Sequence, residues 1–547
     1  TYTTLSSQLA TSGGCGVEIA AVEGKTDTYV IKNFYEKGSS IEFTVNAAAG
    51  TFTIPNQKLT QITEGQIDIA FCSSTGAPDY TTPLSGVINA DGSLVITSWW
   101  GIYVRDGQYA DTPLGWFSEA TMKPANATMT ETPADGSEPY TYGVVISQQN
   151  NVLTVLNFAN HGHPVEIVVN DDHTGQIAQQ VVYVHVDQGN VYVAGYTNSD
   201  TAGTINLVRP IELNKSEDLR TLSWNNWTIY SQNGYFNLWS GGVIKTDFDI
   251  DYPVEVTSLD GEGTEASPFL IRTVGDLAFV GRQCTAGATA GKYYAIANNI
   301  DMSNYRFVPI GSPEHPFEGV LDGRNYTLSN LTIEGITSGY SGLVGYASDK
   351  SILRNIKLNK PQVSSKSRYT AALAGYSEGT ISNCHVVQGV VGSDYSGTVG
   401  LAGHVANIDN CSAYLTQVIG LGGKVSGLVG ELTGSMTNCK AYDMIVYVGC
   451  TNSSRSPSGG LVAMAAEGSS ITDSHFSGLL SGRPSYTIGQ VIGGIVGEGY
   501  HTTMARCFVA AEIQGFTNEA LTGGLSGHYL GTITDSFVNG RVIGSAS

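Results

Sequence analysis

The chain has 547 residues, of which 14% are charged, and 48 acidic against 27 basic residues give a formal net charge of −21. That balance argues against nucleic acid as a partner, because such binding rests on clustered lysine and arginine. No run approaches the roughly 20 apolar residues of a membrane-spanning helix, while 67 glycines and 29 tyrosines indicate turn-rich β structure.

The first 256 residues hold all six tryptophans and duplicate themselves. Asn33-Phe34, Gly38 and the run 41–46 match Asn157-Phe158, Gly162 and the run 165–170 at a constant offset of 124, and the run from Trp100 to Tyr103 matches that from Trp227 to Tyr230 at offset 127. Short alternating runs such as 181–186, with turns such as Asp91-Gly92, describe two related antiparallel β domains, barrel or sandwich, over 1–125 and 140–256. The proline-containing stretch from Lys123 to Pro139 reads as their linker. Trp99 and Trp100 are adjacent in a strand-like run and so face opposite sides. An outward tryptophan offers a flat apolar face to a sugar ring, which makes Trp99, Trp100 and Tyr103, with Trp224, Trp227 and Tyr230, the candidate ligand-binding residues.

Two segments carry a hint of metal binding. Asp247, Asp249 and Asp251 alternate on one strand face, a spacing that could present hard oxygen ligands to Ca²⁺, against the simpler reading of a solvated linker. His161 and His163, with Asp171, Asp172 and His173 nearby, have no histidine counterpart in the first domain and read as a surface turn. No metal or cofactor is expected.

From 257 to 547 the pattern changes. Val274 to Gln283 forms the one convincing helix, whose Leu277, Ala278, Phe279 and Val280 would cap the end of a stack. Seven glycine-bracketed tetrapeptides then begin at Gly342, Ala372, Gly400, Gly427, Gly460, Gly494 and Gly524, 27 to 34 residues apart. Such a period marks stacked supersecondary units. A second element follows each of the later copies, aligning Asn383-Cys384, Asn410-Cys411, Asn438-Cys439, Asp473-Ser474, Arg506-Cys507 and Asp535-Ser536. An apolar residue lies two positions after each Cys or Ser, while the preceding Ile or Met has the opposite parity. The chain must therefore turn a corner between them, which Asn and Asp tolerate. Strand, corner, strand, glycine, strand is one coil of a parallel β-solenoid of about seven coils. Cys384, Cys411, Cys439 and Cys507 should stack inside it as small apolar side chains and not as disulfides.

The tetrapeptides resemble the GLUG repeats of large surface proteins of Bacteroides and relatives, which also occur in bacterial IgA-cleaving peptidases outside their catalytic part. The lead-in resembles theirs too, through the run 261–271, Asn299-Ile300-Asp301, Pro309-Ile310-Gly311 and the run 317–323. The N-terminal pair is similar to calycin-like β-barrel domains. The resemblance implies a secreted or outer-surface protein of a Gram-negative bacterium, with a lipid anchor as one mode of attachment, and supplies no catalytic residues. The expected function is that of a non-catalytic adhesin binding a glycan or a host or bacterial surface protein, with the solenoid as rigid spacer and the barrels as readers. A polysaccharide-degrading enzyme is the alternative from another class, a structural stalk a third. Asp409, Asp473 and Asp535 recur in the repeats, but the latter two occupy the corner position, so a structural role outranks catalysis.

Overall fold

The computed structural model describes residues 2–4, 16–34, 39–63, 65–73, 76–110, 114–117, 120–160, 164–185, 189–196, 210–231, 236–303, 305–336, 339–449, 456–482, 490–515 and 520–544. The fold is all-β, and the chain separates into two units, Thr1–Tyr252 and Pro253–Ser547.

The first unit holds two antiparallel barrels. In the first, Tyr2–Thr4, Gly16–Ala21, Thr28–Lys32, Ser40–Asn46, Thr51–Ile54, Leu84–Ile88, Leu94–Ile96 and Ala120–Pro124 close into a ring. In the second, Phe236–Thr246 pairs on one side with Ala127–Pro133 and on the other with Thr221–Ser231, which closes an equivalent ring. Closure removes the open edges that would otherwise template association. The expected linker over 123–139 is corrected here. Lys123 lies within the strand Ala120–Pro124 of the first barrel, and Ala127–Pro133 is already the first strand of the second. The stretch contains prolines because Pro124 and Pro133 sit at strand ends, where a missing N–H costs little.

The duplication is visible in three dimensions. Asn33 and Asn157 both adopt left-handed angles, with φ of 60° and 70°, and each sends the following phenylalanine into its barrel against a tryptophan. The equivalence of the tryptophans is shifted by one from the sequence alignment. Trp99 stacks on Phe117 of its paired strand at 4.1 Å, and Trp227 stacks on Trp239 of its paired strand at 4.3 Å. Trp227 is therefore the counterpart of Trp99 and not of Trp100, and in a strand a one-residue slip exchanges core for surface.

The second unit is a parallel β-solenoid of about nine turns. The expected seven fell short because the lead-in already coils. Phe269–Ile271, Tyr293–Ile296 and Val320–Asp322 pair in parallel with one another and then with Ile352–Arg354, without any glycine tetrapeptide to announce them. Helix α1 (Val274–Thr285) starts with a capping box between Thr273 and Asp276, and buries Leu277, Val280 and Cys284 against the first coils. Ala278 and Phe279 are only half-buried.

One column of core residues runs through the stack as Leu321, Leu353, Ile381, Ile408, Met436, Ile471 and Met504, in register from coil to coil, and continues on the last coil as the exposed Ile533. The tetrapeptides have a steric cause. A Cβ on the opening Gly400, Gly427, Gly460 or Gly494 would lie 2.0 to 2.3 Å from a carbonyl oxygen of the next coil. One on the closing Gly403 or Gly430 would lie 2.3 or 2.4 Å from a carbonyl oxygen of the previous coil. The tetrapeptides 400–403 and 427–430 thus let the backbone approach its neighbours on both sides.

The corner is as its residue types require. Asn383, Asn410, Asn438, Asp473, Arg506 and Asp535 all have φ between 48° and 53°. The amides form a ladder: Asn383 Nδ2 donates to Asn355 Oδ1 (2.7 Å), Asn410 Nδ2 to Asn383 Oδ1 (3.2 Å) and Asn438 Nδ2 to Asn410 Oδ1 (3.0 Å). Where Asp473 interrupts the ladder, Arg506 of the next coil replaces the amide bond with two charge-assisted ones of 2.6 and 2.7 Å. The four cysteines are buried and unpaired, stacked as expected, and they also bond. The backbone N–H of Cys384 donates to Cys411 Sγ, and those of Cys439 and Cys507 donate to the hydroxyls of Ser474 and Ser536. A small side chain that satisfies the preceding corner's orphan N–H explains why Ser alternates with Cys where a purely apolar residue would not serve.

Candidate functional site

The aromatic residues singled out from the sequence belong mainly to the barrel cores. Trp99 is 0% exposed, Trp224 1%, Trp227 0% and Tyr230 3%. This corrects the expectation of an outward platform at those four positions. Each aromatic is held by other rings or by backbone: Phe158 packs on both Trp224 and Trp227, and Trp227 Nε1 donates to Gly241 O at 3.2 Å. Tyr230 OH accepts from Gln179 Nε2. The indole N–H groups of Trp99 and Trp224 are buried without a hydrogen-bond acceptor among the described residues. Such a group costs about 1–3 kcal/mol, which the burial of the ring must offset. Trp100 and Tyr103 are half-buried, and Trp100 Nε1 donates to Gly76 O at 3.1 Å.

The acidic strand end is solvent-exposed, in keeping with the reading of a solvated segment. Asp247, Asp249 and Asp251 are exposed, Asp249 is paired with Arg220 at 2.5 Å, and no group of carboxylates, histidines or cysteines able to hold a metal occurs among the described residues. His161 and His163 lie outside the described residues. Asp171 is buried, and the His173 ring packs at a tilt against Tyr252 at 4.5 Å.

The site that the fold does build lies on the solenoid, along the face that follows the asparagine corner. Leu358, Val386, Ala413, Ala441 and Phe476 point inward and are buried, so the residues before them point out. In successive coils these are Lys357, His385, Ser412, Lys440 and His475, paired in register. Beside them runs a second outward column, Asn359, Val387, Tyr414 and Tyr442. Short Ser412 and Val387 lie between longer neighbours, and the result is an open groove of about 770 Å³, with Asn410 and Asn438 on its corner edge. No carboxylate lines it among the described residues.

Its rings continue from coil to coil. Tyr414 stacks on Tyr442 at 4.5 Å, Tyr442 lies 6.3 Å from His475, and His475 lies 6.5 Å from Phe508. His385 is held at both ring nitrogens, by the Ser412 hydroxyl at 2.9 Å and Asn383 Oδ1 at 3.2 Å. Burial, with Lys357 close by, pushes the pKa of His385 below the ordinary histidine value, and burial with Lys440 does the same for His475. The groove can therefore offer ammonium groups, neutral imidazoles, amides and a phenol along one line.

A second outward cluster occupies another face, where Tyr346, Tyr376 and His404 stack at 4.6 and 4.1 Å. Beside them Glu431 accepts from the Tyr369 hydroxyl at 2.7 Å and from Lys424. Burial acts to raise the Glu431 pKa, but those donors outweigh it and hold the carboxyl below its usual value. The carboxylate is fully engaged by its neighbours, so this cluster reads as a structural tie between coils.

The sequence signal for the groove was available. The residues flanking each apolar position after the corner include Lys357, His385, Lys440, Tyr442 and His475, but only the strand register shows that they form columns.

Fold and groove together define a β-solenoid protein carrying two antiparallel barrels. No family model matches the sequence. Over 169 residues, 28% of this chain, it is 29% identical to halomucin of Haloquadratum walsbyi, covering 2% of that protein. Over 134 residues, 23% of this chain, it is 28% identical to a protein named as a Gly-rich membrane protein in Evansella cellulosilytica, covering 15% of it. The chain thus spans a small part of the length of these curated relatives. Among solved structures it is similar to a protein from Bacteroides ovatus named as an immunoglobulin A1 protease, at 20% identity and a TM-score of 0.42, over 51% of this chain and 86% of that one. No helix among the described residues is long and apolar enough to cross a membrane.

Proposed function

We propose that this chain is part of an extracellular surface protein and that its solenoid binds an extended glycan along the groove, with the barrels as rigid spacers. The observation that carries this reading is the pair of outward columns. Hydrogen-bonding and aromatic side chains recur on successive coils about 4.8 Å apart, so the surface repeats along the axis as a linear polymer does. Amides and hydroxyls suit sugar hydroxyls, and the half-buried rings of Tyr442 and His475 suit the apolar faces of sugar rings. The absence of lining carboxylates among the described residues favours binding over glycoside hydrolysis, which needs a facing acid pair. A surface location is consistent with the likeness to halomucin and to the Gly-rich membrane protein. The resemblance to GLUG-repeat proteins adds the outer face of a Gram-negative cell and a lipid anchor to this reading.

The test is a glycan array probed with the full chain and with the double variant Tyr442→Ala, His475→Ala. Binding by the native chain that the variant loses, with the far-ultraviolet circular dichroism of both unchanged, is the expected result. Silence across the array, or undiminished binding by the variant, would contradict the reading.

A further inference from the structure

We propose that the polymer the groove takes is anionic, a polysaccharide bearing carboxylate or sulfate groups at intervals, lying parallel to the solenoid axis. The inference rests on the glycan reading above and names the ligand's charge.

Cations are scarce in this chain, and several on the solenoid surface are answered by carboxylates. Arg306 pairs with Glu334, Lys350 with Glu318, Arg354 with Asp322, Lys424 with Glu431 and Arg506 with Asp473. Lys357 and Lys440 have no such partner. Neither lies within ion-pair distance of a carboxylate among the described residues, and both face the groove. In a chain with a net charge of −21, two unanswered ammonium groups on one carboxylate-free surface are a local reversal of sign.

Their spacing indicates what they meet. They occupy one column three coils apart, with His385 and Ser412 between them, or about 14 Å at the solenoid rise. That separation places each lysine opposite a different charge of a chain and leaves the neutral groups between for hydroxyls. A nucleic acid strand, with a phosphate about every 3.4 Å, would bring roughly four charges over that length against two ammonium groups. A glycan charged once per one or few sugars matches the sparser spacing. The two histidines lie on the same surface: burial chiefly disfavours their cationic forms, and the lysine beside each adds to it, a contribution that a bound anion offsets.

The test uses the full chain, titrated with polygalacturonate and with a neutral glucan of matched length at low and high salt. The native chain should bind the polyuronate, with affinity falling as salt rises. The double variant Lys357→Gln, Lys440→Gln should bind it roughly tenfold to a hundredfold more weakly for each ammonium contact removed, with unchanged circular dichroism. Binding of the polyuronate that ignores those substitutions would overturn the inference. Binding of the neutral glucan alone, lost in the Tyr442→Ala, His475→Ala variant, would overturn the charge assignment and leave the glycan reading standing. No binding of either polymer, together with a silent array, would overturn both. A single-stranded oligonucleotide that displaces the polyuronate at lower concentration would overturn it in favour of nucleic acid.

Discussion

The two units use their aromatic residues in opposite directions. In the barrels Trp99, Trp224 and Trp227 are fully enclosed and stacked on neighbouring rings. On the solenoid Tyr414, Tyr442, His475 and Phe508 stand half-exposed along one outer face. The cause is the space each architecture encloses. A small barrel has an interior wide enough for large side chains and needs them to fill it. A solenoid coil encloses a narrower core, filled mainly by Leu, Ile, Val, Ala, Met and Cys with rings at Tyr294, Phe307, Phe317 and Phe476, so rings such as Tyr414 and Tyr442 stand outside. Tryptophan in the first unit therefore reports on packing, and histidine and tyrosine in the second report on surface chemistry.

The sharpest way to break this contrast is substitution within each unit. Trp227→Ala should destabilise the second barrel by about 3–5 kcal/mol, read as a lowered thermal midpoint, and leave ligand binding by the solenoid unchanged. Gly427→Ala places a methyl group 2.3 Å from Gly460 O, and forcing the coils apart should cost about 1–3 kcal/mol. Asn410→Ala removes one rung of the amide ladder at a φ of 49° and should cost about 1–2 kcal/mol, with Asn410→Gly recovering the backbone part in chemical denaturation. Lys440→Gln, at an exposed groove position, should change stability by no more than about 0.5 kcal/mol.

A pH titration sharpens the same contrast. His385, facing Lys357, Ser412 and Asn383, and His475, facing Lys440, Tyr442 and Phe508, both have depressed pKa values. They are neutral at pH 7 and gain charge only below the ordinary histidine value of about 6.5. Their native state binds fewer protons than the unfolded chain, so their contribution to stability is complete above about pH 6.5 and declines as pH falls through their native values. An anion favours the protonated form, so affinity for a polyuronate should rise over the same range while its own carboxylates stay ionised. Thermal melts at stepped pH check the first effect, and calorimetric titrations check the second.

Much of the solenoid was legible because its rules are local. The opposite parity of Ile381 and Cys384 demanded a corner, and Asn383 is a residue that can make one. The early coils were not legible, since Phe269, Tyr294 and Leu321 stack in register without glycine tetrapeptides. In the barrels, alternation alone could not say which of Trp99 and Trp100 faces inward, because both neighbours of a strand pair are aromatic and the sheet's handed closure decides. The groove stayed hidden for a different reason. Lys357 and Lys440 are 83 positions apart in the sequence, and only the register through two intervening coils sets them in one column.

The central claim is that the ligand surface belongs to the solenoid and not to the barrels. The most direct measurement is the affinity of the full chain for a glycan it captures on the array, compared between Tyr442→Ala, His475→Ala and Trp100→Ala, the last removing the half-buried tryptophan of the first barrel. Loss of binding in the groove variant with native affinity in Trp100→Ala is the predicted result. Loss in Trp100→Ala with the groove variant unaffected would contradict it and return the site to the barrels.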